Sequence, residues 1–225
     1  MFIGIFIPVS KHARIIITFA CPRKCAGCAN SYKSLIDQAV KIPIDKLDYF
    51  KDYEDVSLTG GEPMLDPNTT IKIARLVHRA APSAKIYLYT ARHKSKNDLE
   101  RVLSHVDGAQ FTLHKEANEE DVADFHAFQA IASRWTDKSF RLYLDPSLKD
   151  KVHLIPSVWA RITSAWYSEA ELLSGKERSR GKPHEEDLFV LVGKSEPKDK
   201  ESPESSSDSM VTEQVFNGTC RICHF

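Results

Sequence analysis

The sequence predicts an α/β fold in which helices cover a parallel β-sheet. Between residues 14 and 144, short β-rich runs alternate with helix-length segments in the order βαβαβαβαβ. Connections of that length join parallel strands, whereas antiparallel neighbours need only a tight turn. Chemically versatile side chains also follow several strands, and in such folds the active groups gather at the carboxyl ends of the strands. The pattern alone fits an open sheet, a partial barrel and a full barrel.

The predicted strands are short apolar runs that end at polar or glycine-containing turns. Those that make up the sheet are Phe2–Val9, Arg14–Ala20, Val56–Thr59, Lys85–Thr90, Gln110–His114 and Phe140–Leu144. Val152–Ile155 is a weaker candidate, and Leu188–Val192 is a clear one.

The segments between the strands carry apolar residues at helical spacing. Residues 34–53 are expected to be helical, with an interruption near Pro43 and a restart at about Asp45. Another helix is expected from about Asn68, and Asn97 and Asn118 are expected to cap the two helices that follow. Residues 158–173 are also predicted to be mostly helical.

The chain has 225 residues, enough for one substantial domain and a tail. We expect a core domain over residues 1–175 and a C-terminal extension over 176–225. The extension holds the strand 188–192 and a segment, 194–209, whose Lys, Glu, Ser and Pro content predicts disorder. It ends in Cys220-x2-Cys223, which is half of a zinc site, a redox pair, a ligand pair for an auxiliary cluster, or a non-essential pair in a flexible tail.

The charge balance excludes a broad class of function. The chain has 31 basic and 31 acidic residues, whereas a sequence-independent binder of nucleic acid or anionic membranes would show a basic excess. No apolar run approaches the ~20 residues of a membrane span. Because the apolar N-terminus is interrupted by Lys11, His12 and Arg14, it does not have the pattern of a secretory signal. With an odd number of cysteines, these features predict a cytoplasmic protein with no membrane association.

Three of the five cysteines occupy one loop directly after the strand that ends at Ala20. Cys21, Cys25 and Cys28 have the spacing C-x3-C-x2-C, which allows three thiolates to converge on one inorganic centre. Structural zinc sites and electron-transfer clusters use four protein ligands. No fourth cysteine lies nearby in the sequence, so the trio indicates a centre with one coordination position open for chemistry.

A second motif, Gly60-Gly61-Glu62-Pro63, follows the strand Val56–Thr59. Two glycines allow a ligand to lie against the backbone, and Glu62 offers a carboxylate that accepts hydrogen bonds from an ammonium group. In isolation a tight turn with a surface glutamate is the simpler interpretation, but the turn shares a rim with the cysteine loop, and this favours ligand binding.

Two further candidates, Thr90 and His114, fall on the same rim by their position at strand ends. A lone histidine there is more often a hydrogen-bonded structural residue than a catalytic one. The basic turn Arg92–Lys96 is interpreted either as a contact for a phosphate or nucleotide or, preferably, as a solvated loop.

The cysteine loop and the Gly60–Glu62 turn together resemble the radical S-adenosylmethionine superfamily, over about residues 13 to 145. The resemblance implies a partial (β/α)6 barrel and a [4Fe–4S] cluster held by Cys21, Cys25 and Cys28. The remaining iron would be chelated by S-adenosylmethionine, whose methionine end would be held by the Gly60–Glu62 turn. One electron from the cluster would cleave the sulfonium C–S bond, and the resulting 5′-deoxyadenosyl radical would abstract hydrogen from a substrate.

The loop departs from many members of the superfamily at Gly27, where they carry an aromatic residue that packs against the adenine. The segment Cys25–Asn30 is most similar to the loop C-x-G-C-x-N of anaerobic ribonucleotide reductase activating enzymes. Those enzymes make a glycyl radical on a protein partner.

Three functions follow from these patterns. The favoured one is a radical enzyme that modifies a small molecule, a nucleobase or a nucleotide, for example in DNA base hypermodification, with an electron donor of the flavodoxin or ferredoxin type. The second is an activase with a protein partner. The third is a non-enzymatic zinc module that pairs Cys25 and Cys28 with Cys220 and Cys223, which leaves Cys21 and the glycine turn unexplained.

Overall fold

The computed structural model describes residues 11–25, 28–164 and 187–194, together with the backbone of short strand segments between 177 and 186. All of them belong to the first of two compact units, residues 1–195, and the second unit, 196–225, lies outside the described residues. The expected strand Phe2–Val9, the segment 195–209 and the pair Cys220 and Cys223 lie outside them too.

Eight strands form one sheet in the spatial order β2-β10-β1-β3-β4-β5-β6-β7, and every neighbouring pair is parallel. Their bounds are β1 His12–Thr18, β2 Val40–Pro43, β3 Asp55–Gly60, β4 Lys85–Thr90, β5 Gly108–Leu113, β6 Ser139–Leu144, β7 Trp159–Thr163 and β10 Glu186–Val192. A separate antiparallel pair consists of β8 Glu177–Ser179 and β9 Lys182–His184.

Six of these strands, β1 and β3 to β7, lie side by side in chain order. Among the described strands the outermost two, β2 and β7, are not paired with each other, so the sheet stays open. This arrangement confirms the predicted parallel α/β fold of the partial-barrel type. Strands β10 and β2 extend it on the far side of β1.

The described residues form four α-helices in the connections, and three of them begin at a side chain that accepts a backbone N–H. Their bounds are α1 Lys33–Gln38, α2 Pro67–Ala80, α3 Lys96–Leu103 and α4 Glu119–Ala132. Asn118 caps α4 as predicted, and Asp121 reciprocates in a capping box. The expected cap Asn97 is wrong, because α3 begins earlier and Ser95 accepts from the N–H of Asp98 at 3.3 Å. No helix in the described ranges is long and apolar enough to cross a bilayer.

The region 34–53 differs from the predicted helices. After the short α1, residues Val40–Pro43 form edge strand β2, and Leu47–Phe50 form a single 3-10 turn. The apolar residues of this region are buried under the neighbouring strand β10 rather than along one helix. Proline lacks an N–H, so Pro43 fits the end of an edge strand and not a helix interior.

The connection from β6 to β7 also differs. Val152–Ile155 is not a strand, and residues 159–163, predicted as helical, form β7. Gln129 of α4 stabilises this connection: its amide donates to the carbonyl of His153 at 2.9 Å. Its carbonyl oxygen accepts from the N–H of Ile155 at 2.9 Å and from the indole of Trp159 at 3.0 Å. A buried side chain on a distant helix thus supplies bonds that local sequence does not reveal.

Strand β10, which the sequence analysis assigned to a C-terminal extension, lies inside the sheet between β1 and β2. Its Phe189 is fully buried and meets Phe50 edge-to-face at a centroid distance of 5.0 Å. The hydroxyl of Tyr53 donates to Asp187 at 2.7 Å. Burial of one phenylalanine contributes about 1.5–3 kcal/mol, so β10 is part of the core.

The two faces of the sheet have opposite chemistry, because successive strand residues point to opposite sides. The helix-covered face is apolar, and Phe111 of β5 packs there against Phe125 and Phe128 of α4. On the other face, alternate residues such as Arg14, Gln110 and Arg141 line a cavity. The fold therefore presents a concave surface that carries charged side chains next to the strand ends.

Candidate functional site

The cavity on the concave face has a volume of about 600 Å³. The residues singled out from the sequence border it together: Cys21, Cys25, Cys28, Gly60, Gly61, Glu62, Thr90 and His114. They come from the ends of β1, β3, β4 and β5, so the parallel topology brings both motifs to one rim.

The two glycines allow the end of β3 to lie directly against the end of β1. Gly60 has φ 131°, and a Cβ there would stand 2.1 Å from the carbonyl oxygen of Thr18. A Cβ on Gly61 would stand 2.1 Å from the carbonyl oxygen of Ala20. The N–H of Gly61 donates to Thr18 at 2.7 Å, and that of Glu62 donates to Ala20 at 2.8 Å. The close neighbour that requires glycine is thus the protein backbone just before Cys21.

Asn30 connects the cysteine loop to this turn. It lies in the 3-10 turn Ala29–Ser31, and this turn follows Cys28 directly. The side-chain amide of Asn30 donates to the carbonyl of Gly60. Both ends of the loop therefore contact the Gly60–Glu62 turn. The sequence did not single out Asn30 as a site residue, and its only signal was its place in the C-x-G-C-x-N pattern.

Glu62 fastens the turn to the end of β4. Only 3% of Glu62 is exposed. Its Oε1 accepts from the N–H of Met64 at 3.0 Å and from the hydroxyl of Thr90 at 2.7 Å, and its Oε2 accepts from the N–H of Ala91 at 2.8 Å. Burial raises the pKa of Glu62, although these hydrogen bonds act to lower it. The backbone of Arg92 also bonds to Glu62, so the carboxylate serves mainly to hold the turn.

The three cysteines border the cavity as free thiols. Burial raises the pKa of Cys21, and it raises the pKa of Cys25 to about 11, so iron binding must displace protons from both. Three thiols on one loop are a suitable donor set for an iron–sulfur centre. Within the described part of the chain, no three His, Cys, Asp or Glu side chains already form a metal site.

Arg23, inside the cysteine loop, is anchored to the first turn of α4. Its guanidinium forms an ion pair with Asp121, and the two side chains are 14% and 4% exposed. Asp121 also accepts from the N–H of Asn118 at 3.0 Å, so one carboxylate both caps the helix and holds the loop. No sequence pattern joins residues so far apart in the chain, and this contact was not predicted.

The other rim candidates divide into two groups. His114 borders the cavity, and burial lowers its pKa, which keeps the imidazole neutral at pH 7. The basic turn Arg92–Lys96 packs onto the helices: Arg92 pairs with Glu120 at 2.6 Å, and His93 is buried. Arg92 and His93 are therefore anchored to α4, whereas Lys94 and Lys96 are exposed to solvent, as expected for a solvated loop.

Comparisons with known proteins give a family. The family model described as "4Fe-4S single cluster domain" matches residues 13–125, just over half of the chain. One similar solved structure is described as the crystal structure of BtrN in complex with AdoMet and 2-DOIA, with a TM-score of 0.41 and 16% identity. That match covers 69% of this chain and 57% of the BtrN chain, so this chain spans little more than half of that protein's length. No curated protein matches the sequence. The match over residues 13–125, which includes all three loop cysteines, shows that the chain belongs to the 4Fe–4S single cluster domain family, a family associated with radical S-adenosylmethionine enzymes.

Proposed function

We propose that the protein is a radical S-adenosylmethionine enzyme that acts on a small molecule, a nucleobase or a nucleotide. The observation that carries the proposal is that Cys21, Cys25 and Cys28 border the same cavity as the Gly60–Glu62 turn. The backbone bonds from that turn to Thr18 and Ala20 hold the two motifs against each other.

Each part of the site has a role in this proposal. The three cysteines hold a [4Fe–4S] cluster, which when bound supplies one electron to cleave S-adenosylmethionine into methionine and a 5′-deoxyadenosyl radical that takes hydrogen from the substrate. The ammonium group of the methionine end needs acceptors. The carbonyl of Gly60 has two lone pairs and one donor in Asn30, so it supplies one. Glu62 holds the turn that presents this carbonyl. Thr90 keeps Glu62 in place.

The polar concave face below the rim holds the substrate. Cys21 is exposed, so an electron donor of the flavodoxin or ferredoxin type can approach a cluster held by the loop.

The test is anaerobic reconstitution of the full chain with iron and sulfide. We expect brown iron–sulfur absorbance, an electron-spin resonance signal that changes when S-adenosylmethionine is added, and formation of 5′-deoxyadenosine. The matched control carries alanine at the three loop cysteines. Stoichiometric zinc without iron in the wild type, or undiminished 5′-deoxyadenosine formation by the control, would contradict the proposal.

The same preparation distinguishes an activase from an enzyme with its own substrate. Candidate substrates labelled with deuterium should transfer the label to 5′-deoxyadenosine. A glycyl-radical signal on an added partner protein, with no turnover of free small molecules, would instead identify an activase.

A further inference from the structure

Two arginines on the concave face are stacked on two tyrosines of the central strand β4. The guanidinium carbon of Arg14 lies 4.6 Å from the ring centroid of Tyr89, and that of Arg141 lies 4.5 Å from the ring centroid of Tyr87. A guanidinium that stacks through its face keeps its in-plane N–H donors for another group. Both arginines border the cavity, and the donors of Arg141 can reach a molecule inside it.

Gly108 gives the Tyr87 ring the space to reach Arg141 across β5. A Cβ at Gly108 would stand 3.0 Å from the Tyr87 ring, and it would stand 1.9 Å from the carbonyl oxygen of Ser139. The absence of a side chain at this position thus allows the stack. The orientation of Arg141 is set by residues on three adjacent strands, β4, β5 and β6.

The charge around Arg141 is not balanced by the described residues. Its register partner on β7 is Arg161, which also borders the cavity, and like charges directly opposite each other destabilise a sheet. No carboxylate in the described ranges forms an ion pair with either arginine.

The two carboxylates that border the cavity already have partners. Asp55 lies 2.7 Å from the imidazole of His12, and Glu62 accepts from its own turn and from the end of β4. Among the described residues, no carboxylate at the cavity is thus left for the arginine pair, and the anionic group of a ligand can supply the counter-charge.

The position of Arg141 separates this ligand from the methionine end of the cofactor. The Tyr87 ring that Arg141 contacts lies three residues before Thr90, which is bonded to Glu62 at the rim. At about 3.3 Å per strand residue, that is a depth of about 10 Å. A small molecule held at Arg141 by one end would therefore reach up towards the cysteine loop with its other end.

We propose that Arg141, stacked on Tyr87 and paired in register with Arg161, binds an anionic group of the substrate, a carboxylate or a phosphate. The reaction at the other end of that substrate rests on the proposed function, but the anion site itself does not. The substrate class is therefore a small carboxylate or phosphate ester rather than a neutral molecule.

The test is calorimetric titration of the reconstituted full chain with inorganic phosphate, succinate, thymidine 5′-monophosphate and thymidine. Loss of a hydrogen-bonded charge should weaken anion binding by about tenfold or more in the Arg141→Gln variant. Arg141→Lys keeps the charge but not the planar fork of donors. Its affinity for anions should lie between those of the wild type and of Arg141→Gln. The matched control is Arg134→Gln, because Arg134 pairs with Glu100 on the exposed surface, and it should bind like the wild type. Tighter binding of phosphate and thymidine 5′-monophosphate than of succinate indicates a phosphate ester, and the reverse indicates a carboxylate.

Equal affinity of the wild type and both Arg141 variants for phosphate and for succinate would overturn the inference. Thermal unfolding of each variant shows whether it is folded, and Arg141→Lys keeps the test decisive if Arg141→Gln does not fold. Formation of 5′-deoxyadenosine is measured on the same wild-type sample. If that product is absent while binding still depends on Arg141, the proposed function fails and the anion site stands. If the product forms but anion binding does not depend on Arg141, the proposed function stands and the anion site is ruled out.

Discussion

The two motifs that border the cavity differ in how firmly the protein holds them. The Gly60–Glu62 turn is bonded along its length to the end of β1, and Glu62 adds three further hydrogen bonds. The cysteine loop has an exposed Cys21 and is held mainly through Arg23 and Asn30. A rigid half suits recognition of an organic cofactor, whereas an adaptable half can close around a metal centre as it forms.

This contrast predicts that changes in the turn lower stability, whereas changes of the cysteines remove the cluster and leave the fold intact. The effects expected below run from the largest to the smallest.

Alanine at Cys21, Cys25 or Cys28 should abolish cluster assembly, because two thiolates cannot hold the centre. The free energy of unfolding of the cluster-free protein should change by no more than about 0.5 kcal/mol, as for most substitutions away from the core. Iron content after anaerobic reconstitution and urea denaturation of the cluster-free variants measure the two effects. Full iron loading in any single variant would show that its cysteine is not a ligand.

Alanine at Gly60 or Gly61 should destabilise the cluster-free protein by about 2 kcal/mol or more. The new Cβ meets a backbone oxygen at both positions, and Gly60 also has a positive φ that other residues rarely adopt. Gly193→Ala is the matched control, because its Cβ would meet nothing within 4 Å. Urea denaturation of the three variants checks the prediction, and equal stabilities would show that the β1–β3 contact is adaptable.

Thr90→Val should destabilise the protein by about 1–3 kcal/mol, because it leaves the buried Glu62 short of a donor. Thr90→Ser keeps the hydroxyl and should recover most of this loss. If S-adenosylmethionine binds through Glu62, its dissociation constant should rise in the valine variant and not in the serine variant. Equal effects of the two substitutions would point to the lost methyl packing instead.

Glu62 should make stability depend on pH. Burial raises its pKa above the ordinary value of 4.5, so its contribution is fully present below that pH and is lost as the pH rises through the folded-state pKa. We expect the unfolding free energy of the wild type, relative to Glu62→Gln, to fall from pH 4.5 upward. Denaturation of both cluster-free proteins across that range measures the difference, and a difference that rises with pH would reverse the assigned direction.

The smallest effect is the coupling energy of the ion pair that anchors the cysteine loop, compared with that of an exposed ion pair. A double-mutant cycle with Arg23→Gln and Asp121→Asn should give a coupling of about 1 kcal/mol or more, because the pair is largely buried. The exposed pair Arg134 and Glu100, taken through the same cycle, should give about 0.5 kcal/mol or less. Equal couplings would mean that Arg23 does not fix the loop.

Much of the fold could be predicted, because the strands β1 and β3 to β6 and the helices from α2 to α4 carry clear local patterns. The exceptions have a common physical cause. The edge strand β2, the strand β7 and the position of β10 depend on partners far along the chain, such as Phe50 under Phe189 and Gln129 beside Trp159. Local periodicity contains no information about such contacts.

The candidate site shows the same division. Its motif residues could be found from the sequence, since parallel strands bring their carboxyl ends together. The reason for the glycines was different from the expected one, because a neighbouring backbone rather than a ligand requires them. The ion pair of Arg23 and the stacks of Arg14 and Arg141 depend on tertiary structure and had no sequence signal. For the contact of Asn30 the only signal was its place in the C-x-G-C-x-N pattern.

The insertion of β10 beside β1 has a consequence for how the protein is made. The strand that leads into the cysteine loop gains its second neighbour only from residues 186–192. On the ribosome, Cys21 emerges long before that neighbour exists, and β1 can pair on one side only. A nascent chain that stalls before residue 186 therefore exposes β1 as an open edge prone to aggregation.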